Sequence, residues 1–178
     1  MIFNSLTYLL LLFFVIILYW LLSYKARLLL IFTSSLVFYG FWKISFIPIL
    51  MISVIIDWWV AQQMYQCKKK KRFSFLLISL IANLGLLFYF KYLIFFASNA
   101  IGFSNLLGIE IDPFALNIIL PLGISFYTFQ TISYTVDVYR GFIKPERNFI
   151  LFACYVTFFP QLVAGPILRA KEVIPLIY

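Results

Sequence analysis

Histidine does not occur in this sequence of 178 residues. Its absence removes the Ser-His-Asp and Cys-His nucleophile pairs, histidine-ligated metal centres and an imidazole general base from anything the chain can do by itself. Charge is scarce as well: Asp, Glu, Lys and Arg make up 11% of the residues against 65% apolar ones, and the mean hydropathy is +1.04. That is too little charge to coat a water-soluble globule, so the composition points to a bilayer. Cysteine is limited to Cys67 and Cys154, which stand in neither metal-ligand spacing nor a disulfide framework. No metal site is expected.

Aromatic residues reach 21%, suiting a membrane protein with interfacial anchors. Residues 1–22 carry no charge and lead directly to Lys25 and Arg27, with no basic segment before the apolar run and no small-residue cleavage site after it. A retained helix is therefore expected and not a signal peptide. The net charge of +8 gathers in short clusters between apolar runs, which read as topology signals, and no soluble basic domain is present to bind nucleic acid.

Apolar runs predict helices over about 4–24, 28–42, 44–66, 73–97, 114–136 and 149–164, against the ~20 residues that cross the hydrocarbon core. The run 28–42 is short and 149–164 marginal; tilt, a snorkelling Lys43 or a re-entrant path would accommodate them. With the N-terminus outside, the inner connections collect Lys25, Arg27, the KKKKR run at 68–72, Arg140, Lys144 and Arg147, while the outer side keeps Lys43, Arg169 and Lys171. That bias predicts a multi-pass protein of the cell (inner, cytoplasmic) membrane with its N-terminus outside. The loop 98–112, with Glu110 and Asp112 and no basic residue, suits the outer side. KKKKR reads as an anchor for two helices or as a site for anionic lipid headgroups. No linker, repeat or low-complexity segment divides residues 1–178, which read as a single membrane domain or a piece of one.

Several polar residues fall inside these runs. Asp57, in IIDWWVAQQ, is a functional candidate as an intramembrane acid, or else lies at headgroup depth beside Trp58 and Trp59. Lys91, in YFKY, either snorkels or finds a partner inside a bundle. The richest segment is PLGISFYTFQTISYTVDVYRG, residues 121–141. Pro121 lacks an N–H and Gly123 adds freedom two residues on, so a helix entering at 114 breaks or kinks near 120–123. Beyond the break Ser125, Thr128, Thr131 and Thr135 recur at three- and four-residue spacing, with Gln130 and Tyr134 on a neighbouring stripe. Such hydroxyls serve helix packing or line a cavity. Asp137 and Arg140 are spaced for an i,i+3 ion pair closing the helix before Gly141, or else take part directly in chemistry. In FFPQLVAGPILR, residues 158–169, Pro160, Gly165 and Pro166 interrupt another apolar run, with Gln161 and Arg169 beside them. The helix from 149 is expected to end near Phe159 and the chain to turn at or within the membrane.

Together YFKY (89–92), LPLGISFYTFQTISYTVDVYRG (120–141) and NFILFACYVTFFPQLVAGPILR (148–169) resemble the membrane-bound O-acyltransferase family. The likeness is to the bacterial branch holding the alginate O-acetyltransferase membrane subunit and the D-alanyl transfer protein of teichoic acid modification. SSLVFYGFWK (34–43) and DWWVAQQMY (57–65) also look like that branch. The resemblance implies an all-α polytopic bundle of about 5–6 spans with a broken or re-entrant helix around a tunnel. Through it an acyl group would pass from a cytoplasmic donor, acetyl-CoA or an acyl carrier, to a hydroxyl of an exported or cell-wall polysaccharide such as alginate. No covalently bound cofactor is implied. The implied partners are membrane lipids, the C-terminal remainder of the enzyme, an extracytoplasmic acyltransferase partner and the polysaccharide acceptor.

The active-site histidine of the family has no counterpart here, so no catalytic residue is carried over, and the chain is expected to represent an N-terminal portion that is inactive alone. Gln130, Tyr134, Arg140 and Arg169 are the candidates for substrate contact or tunnel lining. Pro121, Gly123, Asp137, Gly141, Pro160, Gly165 and Pro166 are the structural positions of the motifs. Two other classes stand beside this reading: a non-catalytic membrane scaffold or remnant, and a half-transporter, against which counts the lack of a matching interrupted segment in the first half.

Overall fold

The computed structural model describes residues 5–93, 95–96, 99, 102, 119–162, 165–166 and 168–177, and the described residues form helices and connections with no strand. Helix α1 (Leu6–Leu21) opens where the Ser5 hydroxyl accepts the Tyr8 N–H at 3.2 Å. It is apolar on every face, yet buries only Tyr8 and Val15, leaving Leu6, Phe13, Trp20 and Leu21 at least 66% exposed. In water such a surface would be an aggregation site; against lipid it costs nothing. Helix α2 (Tyr24–Lys43) returns antiparallel to it, pairing Tyr8 with Phe38 at 5.9 Å between rings and Tyr19 with Arg27 at 4.9 Å.

Lys43 takes an extended backbone and a short 3-10 turn, Ile44–Phe46, leads into α3 (Ile47–Gln66). Pro48 lies in the first turn of α3, where no intrahelical N–H is required. Helix α4 (Lys69–Leu87) begins inside the basic run and passes into one π-helical turn, Phe88–Tyr92. The runs Tyr24–Gln66 and Lys70–Tyr92 are long and apolar enough to cross a membrane; Leu6–Leu21 and Phe149–Leu162 are shorter apolar helices.

Helix α5 (Ile124–Arg140) starts at the expected break: 119–121 are non-helical, and Gly123, at φ 68°, caps the helix. Residues 114–118 of the predicted run 114–136 lie outside the described residues, as does most of the 98–112 loop. The helix also continues four residues past the predicted end, to Arg140, with Gly141 as its cap. There the Phe142 N–H reaches the Asp137 carbonyl at 2.9 Å and the Gly141 N–H reaches Val138 at 3.1 Å, a Schellman closure made by backbone alone. The expected Asp137–Arg140 ion pair does not form: Arg140 is exposed while Asp137 is 7% exposed.

Asn148 caps α6 (Phe149–Thr157), its side-chain oxygen accepting from Ile150 and Leu151. Residues 151–157 are all buried, so this short helix sits in the middle of the molecule. It ends at Thr157, two residues before the expected Phe159. Phe158 leaves helical geometry (φ −53°, ψ 107°) because Pro160 can neither bond to Val156 nor clear its carbonyl. A single turn, α7 (Phe159–Leu162), and a helix α8 (Ala170–Ile177) follow. The Tyr155 hydroxyl donates to the Leu168 carbonyl at 3.0 Å, and Ile174 and Ile177 pack with Leu28, Leu151 and Cys154. Helix α8 therefore runs back along α6 toward the end where α6 began.

Candidate functional site

Three antiparallel helices carry polar pairs spaced four residues apart: Ser53 and Asp57 on α3, Ser79 and Asn83 on α4, Thr131 and Thr135 on α5. Four-residue spacing puts each pair on one face, and the three helices pack against one another. The result is a polar ladder through an apolar bundle. Asn83 Nδ2 donates to both Asp57 oxygens at 2.9 and 2.8 Å, and the Ser79 hydroxyl donates to Asp57 Oδ1 at 2.6 Å. The amide oxygen of Asn83 accepts from Ser53 at 3.0 Å and from Thr131 at 3.2 Å, while Ser79 and Thr135 hydroxyls lie 3.2 Å apart. All six residues are at most 2% exposed. Asp57 is thus inside the bundle, and its neighbours Trp58 and Gln62 both donate to the Glu146 carbonyl at 2.8 and 2.6 Å.

The ladder offers hydrogen bonds but no nucleophile-base pair, and among the described residues no group of three His, Cys, Asp or Glu forms that could hold a metal. It acts as a lock on helix register, since any slip would strand a buried carboxylate and an amide. Two of the four hydroxyls on the α5 stripe, Thr131 and Thr135, are spent here, on packing. Ser125 lies beside Lys91 instead, and the Thr128 hydroxyl is buried without a partner among the described residues. Ser79, Asn83 and Ser53 were not singled out from the sequence, although the recurring four-residue polar pairs carry the signal.

The sequence candidates divide in two. Gln130 donates to the Tyr155 carbonyl at 2.9 Å, and Tyr134 stacks on Phe152 at 4.6 Å while its hydroxyl accepts the Glu146 N–H at 2.9 Å. Both are buried and join α5 to α6 and to the loop before it. Arg140 and Arg169 are exposed and are not brought together with that pair. Lys91 is exposed too, its amine 3.5 Å from the Ser125 hydroxyl and 5.7 Å from the Tyr92 ring.

The two interrupted motifs meet. Gly123 lies against the backbone of Leu162, so closely that a Cβ would overlap the Leu162 carbonyl oxygen. Gly165 is equally constrained: its N–H donates to the Gln161 carbonyl at 2.9 Å, and a Cβ would lie 2.8 Å from the Gln161 Cα. The Gln161 amide in turn donates to the Pro166 carbonyl at 2.9 Å, and the Phe159 N–H is taken by Ser35 of α2 at 3.3 Å. Freed backbone groups at the break are thereby satisfied inside the protein, as irregular backbone at membrane depth requires.

No family model matches this chain, and no solved structure does. Among curated proteins, it is 37% identical over 158 residues to the protein named probable alginate O-acetylase AlgI of Pseudomonas syringae pv. tomato, covering 87% of this chain and 30% of that one. By sequence the chain belongs to the membrane-bound O-acyltransferase family. The namesake O-acetylase of Pseudomonas aeruginosa is 36% identical over 160 residues, 88% of this chain and 30% of its own. The peptidoglycan O-acetyltransferase of Helicobacter pylori is 34% identical over 168 residues, 80% of this chain and 31% of its own. The chain thus spans about a third of the length of the O-acyltransferases it matches. The segments that meet at Gly123 and Leu162 are the two longest motifs by which it resembles this family.

Proposed function

We propose that this chain forms the N-terminal part of a polysaccharide O-acetyltransferase of the cytoplasmic membrane. The carrying observation is the 37% identity over 158 residues to a protein named as an alginate O-acetylase. The names of its relatives, alginate and peptidoglycan O-acetyltransferases, support an acyl group as cargo and a hydroxyl of an exported polymer as acceptor. The donor is acetyl-CoA or an acyl carrier on the basic side, where Lys25, Arg27, Lys68, Lys70, Arg140, Lys144 and Arg147 gather. In this reading α1 to α6 make the five to six passes, with the N-terminus outside.

Without histidine the chain supplies walls and supports, not the proton-transfer group, and is inactive alone. Gln130 and Tyr134 hold α5 to α6 and to the loop before it; Arg140 and Arg169, both exposed, are left to contact donor, acceptor or an extracytoplasmic acyltransferase partner. The test is deletion of the coding sequence in its own organism, followed by measurement of ester-linked acetate on exported polysaccharide and peptidoglycan. Loss of acetate from one polymer is expected. Unchanged acetate on both would overturn the proposal and favour the second reading, a non-catalytic membrane scaffold, to which the absence of histidine gives some support.

A further inference from the structure

The return of α8 leaves a groove of about 400 Å³ between α1 and the broken segment. Leu12, Ile16 and Trp20 form one wall, and Phe159, Val173 and Leu176 the other. Gln161 lines it as well, but its amide is already donated to Pro166. The interior thus asks for an apolar occupant. From Leu12 to Trp20 the groove follows α1 for about 12 Å at 1.5 Å per residue. One leaflet of hydrocarbon is roughly 15 Å deep.

The chemistry changes at the far end. Tyr19 lines the groove and carries the Arg27 guanidinium 4.9 Å from its ring centre. Arg27 Nε is buried with no hydrogen-bond partner among the described residues, and Lys25 is exposed nearby. A stacked guanidinium keeps its edge for an oxyanion, and an unspent buried donor of a cation is costly without one. An apolar channel one leaflet deep that ends in such a group matches an anionic phospholipid in both halves.

We propose that this groove binds one anionic phospholipid, its acyl chain between α1 and α8 and its phosphate on Arg27. The lipid fills the space under the 158–166 break and supports the re-entrant path from the side. The inference needs the bilayer but not the acyl transfer, so the two proposals fail separately.

The test uses the full-length native product in phosphatidylcholine nanodiscs doped with brominated phosphatidylglycerol or brominated phosphatidylcholine. Tryptophan quenching is recorded, and the Trp20 contribution is obtained by difference from Trp20→Phe. Brominated phosphatidylglycerol is expected to quench Trp20 at about fivefold lower mole fraction, the worth of one basic side chain at a membrane surface. Arg27→Gln should abolish that preference, and Ile16→Phe, which narrows the groove, should weaken quenching by both lipids. Equal quenching by the two lipids would overturn the proposal. So would the absence of Trp20 quenching by either, which would mean that polypeptide fills the groove.

Discussion

Gly123 and Leu162 touch backbone to backbone, and through them the chain's two interruptions become one feature. Gly123 needs a positive φ to start α5, and the same missing Cβ admits the Leu162 carbonyl. One residue thus answers a local and a tertiary demand.

Gly123→Ala should therefore cost more than left-handed strain alone, which is about 1–2 kcal/mol. Gly141, at φ 79° with nothing within 4 Å of a Cβ, is the matched comparison. Thermal unfolding in detergent should show a larger loss for Gly123→Ala than for Gly141→Ala. Equal losses would mean that the contact with Leu162 yields without cost.

Asn83→Ala removes two donated bonds from Asp57 and the acceptor used by Ser53 and Thr131. Losing hydrogen bonds to a buried charged group costs roughly 1.5–3 kcal/mol. The double variant Asp57→Leu with Asn83→Leu should lose less than the sum of the single changes, because groups in one network do not add. Additive losses in a double-mutant cycle would separate the two residues.

Gln130→Ala and Tyr134→Phe each release one tie between α5 and the α6 region, worth about 1 kcal/mol. In cells where ester-linked acetate depends on this protein, Gln130→Ala should lower that acetate, whereas Arg140→Ala should leave thermal unfolding unchanged, as expected for an exposed residue with no ion pair among the described residues. Full acetate in Gln130→Ala would remove Gln130 from the supporting set.

Phe13, 66% exposed at the middle of α1, faces lipid if the chain spans a bilayer. Phe13→Arg should then cost about 2.5–3.5 kcal/mol of insertion, read as a drop in the integrated fraction in a glycosylation-tag assay. Undiminished integration would argue that α1 lies elsewhere.

The backbone chemistry of Pro and Gly was legible because it is local. Pro121, Gly123, Gly141 and Pro160 marked their breaks and ends within a few residues, and the terminal Gly141 was right although the partner expected for it, an Asp137–Arg140 ion pair, was not. Charge counting placed Lys25, Arg27 and the KKKKR run at helix ends.

Read alone, the residues determined a helical, apolar, histidine-free chain with two interruptions, because composition and backbone preference act on each residue where it stands. Only the tertiary structure decided that the interruptions meet, that Asp57 lies inside a six-residue ladder and that α8 turns back along α6. Each of these depends on the register between helices distant in sequence. That register is set by which buried polar groups find partners across the bundle, a choice that no single segment contains.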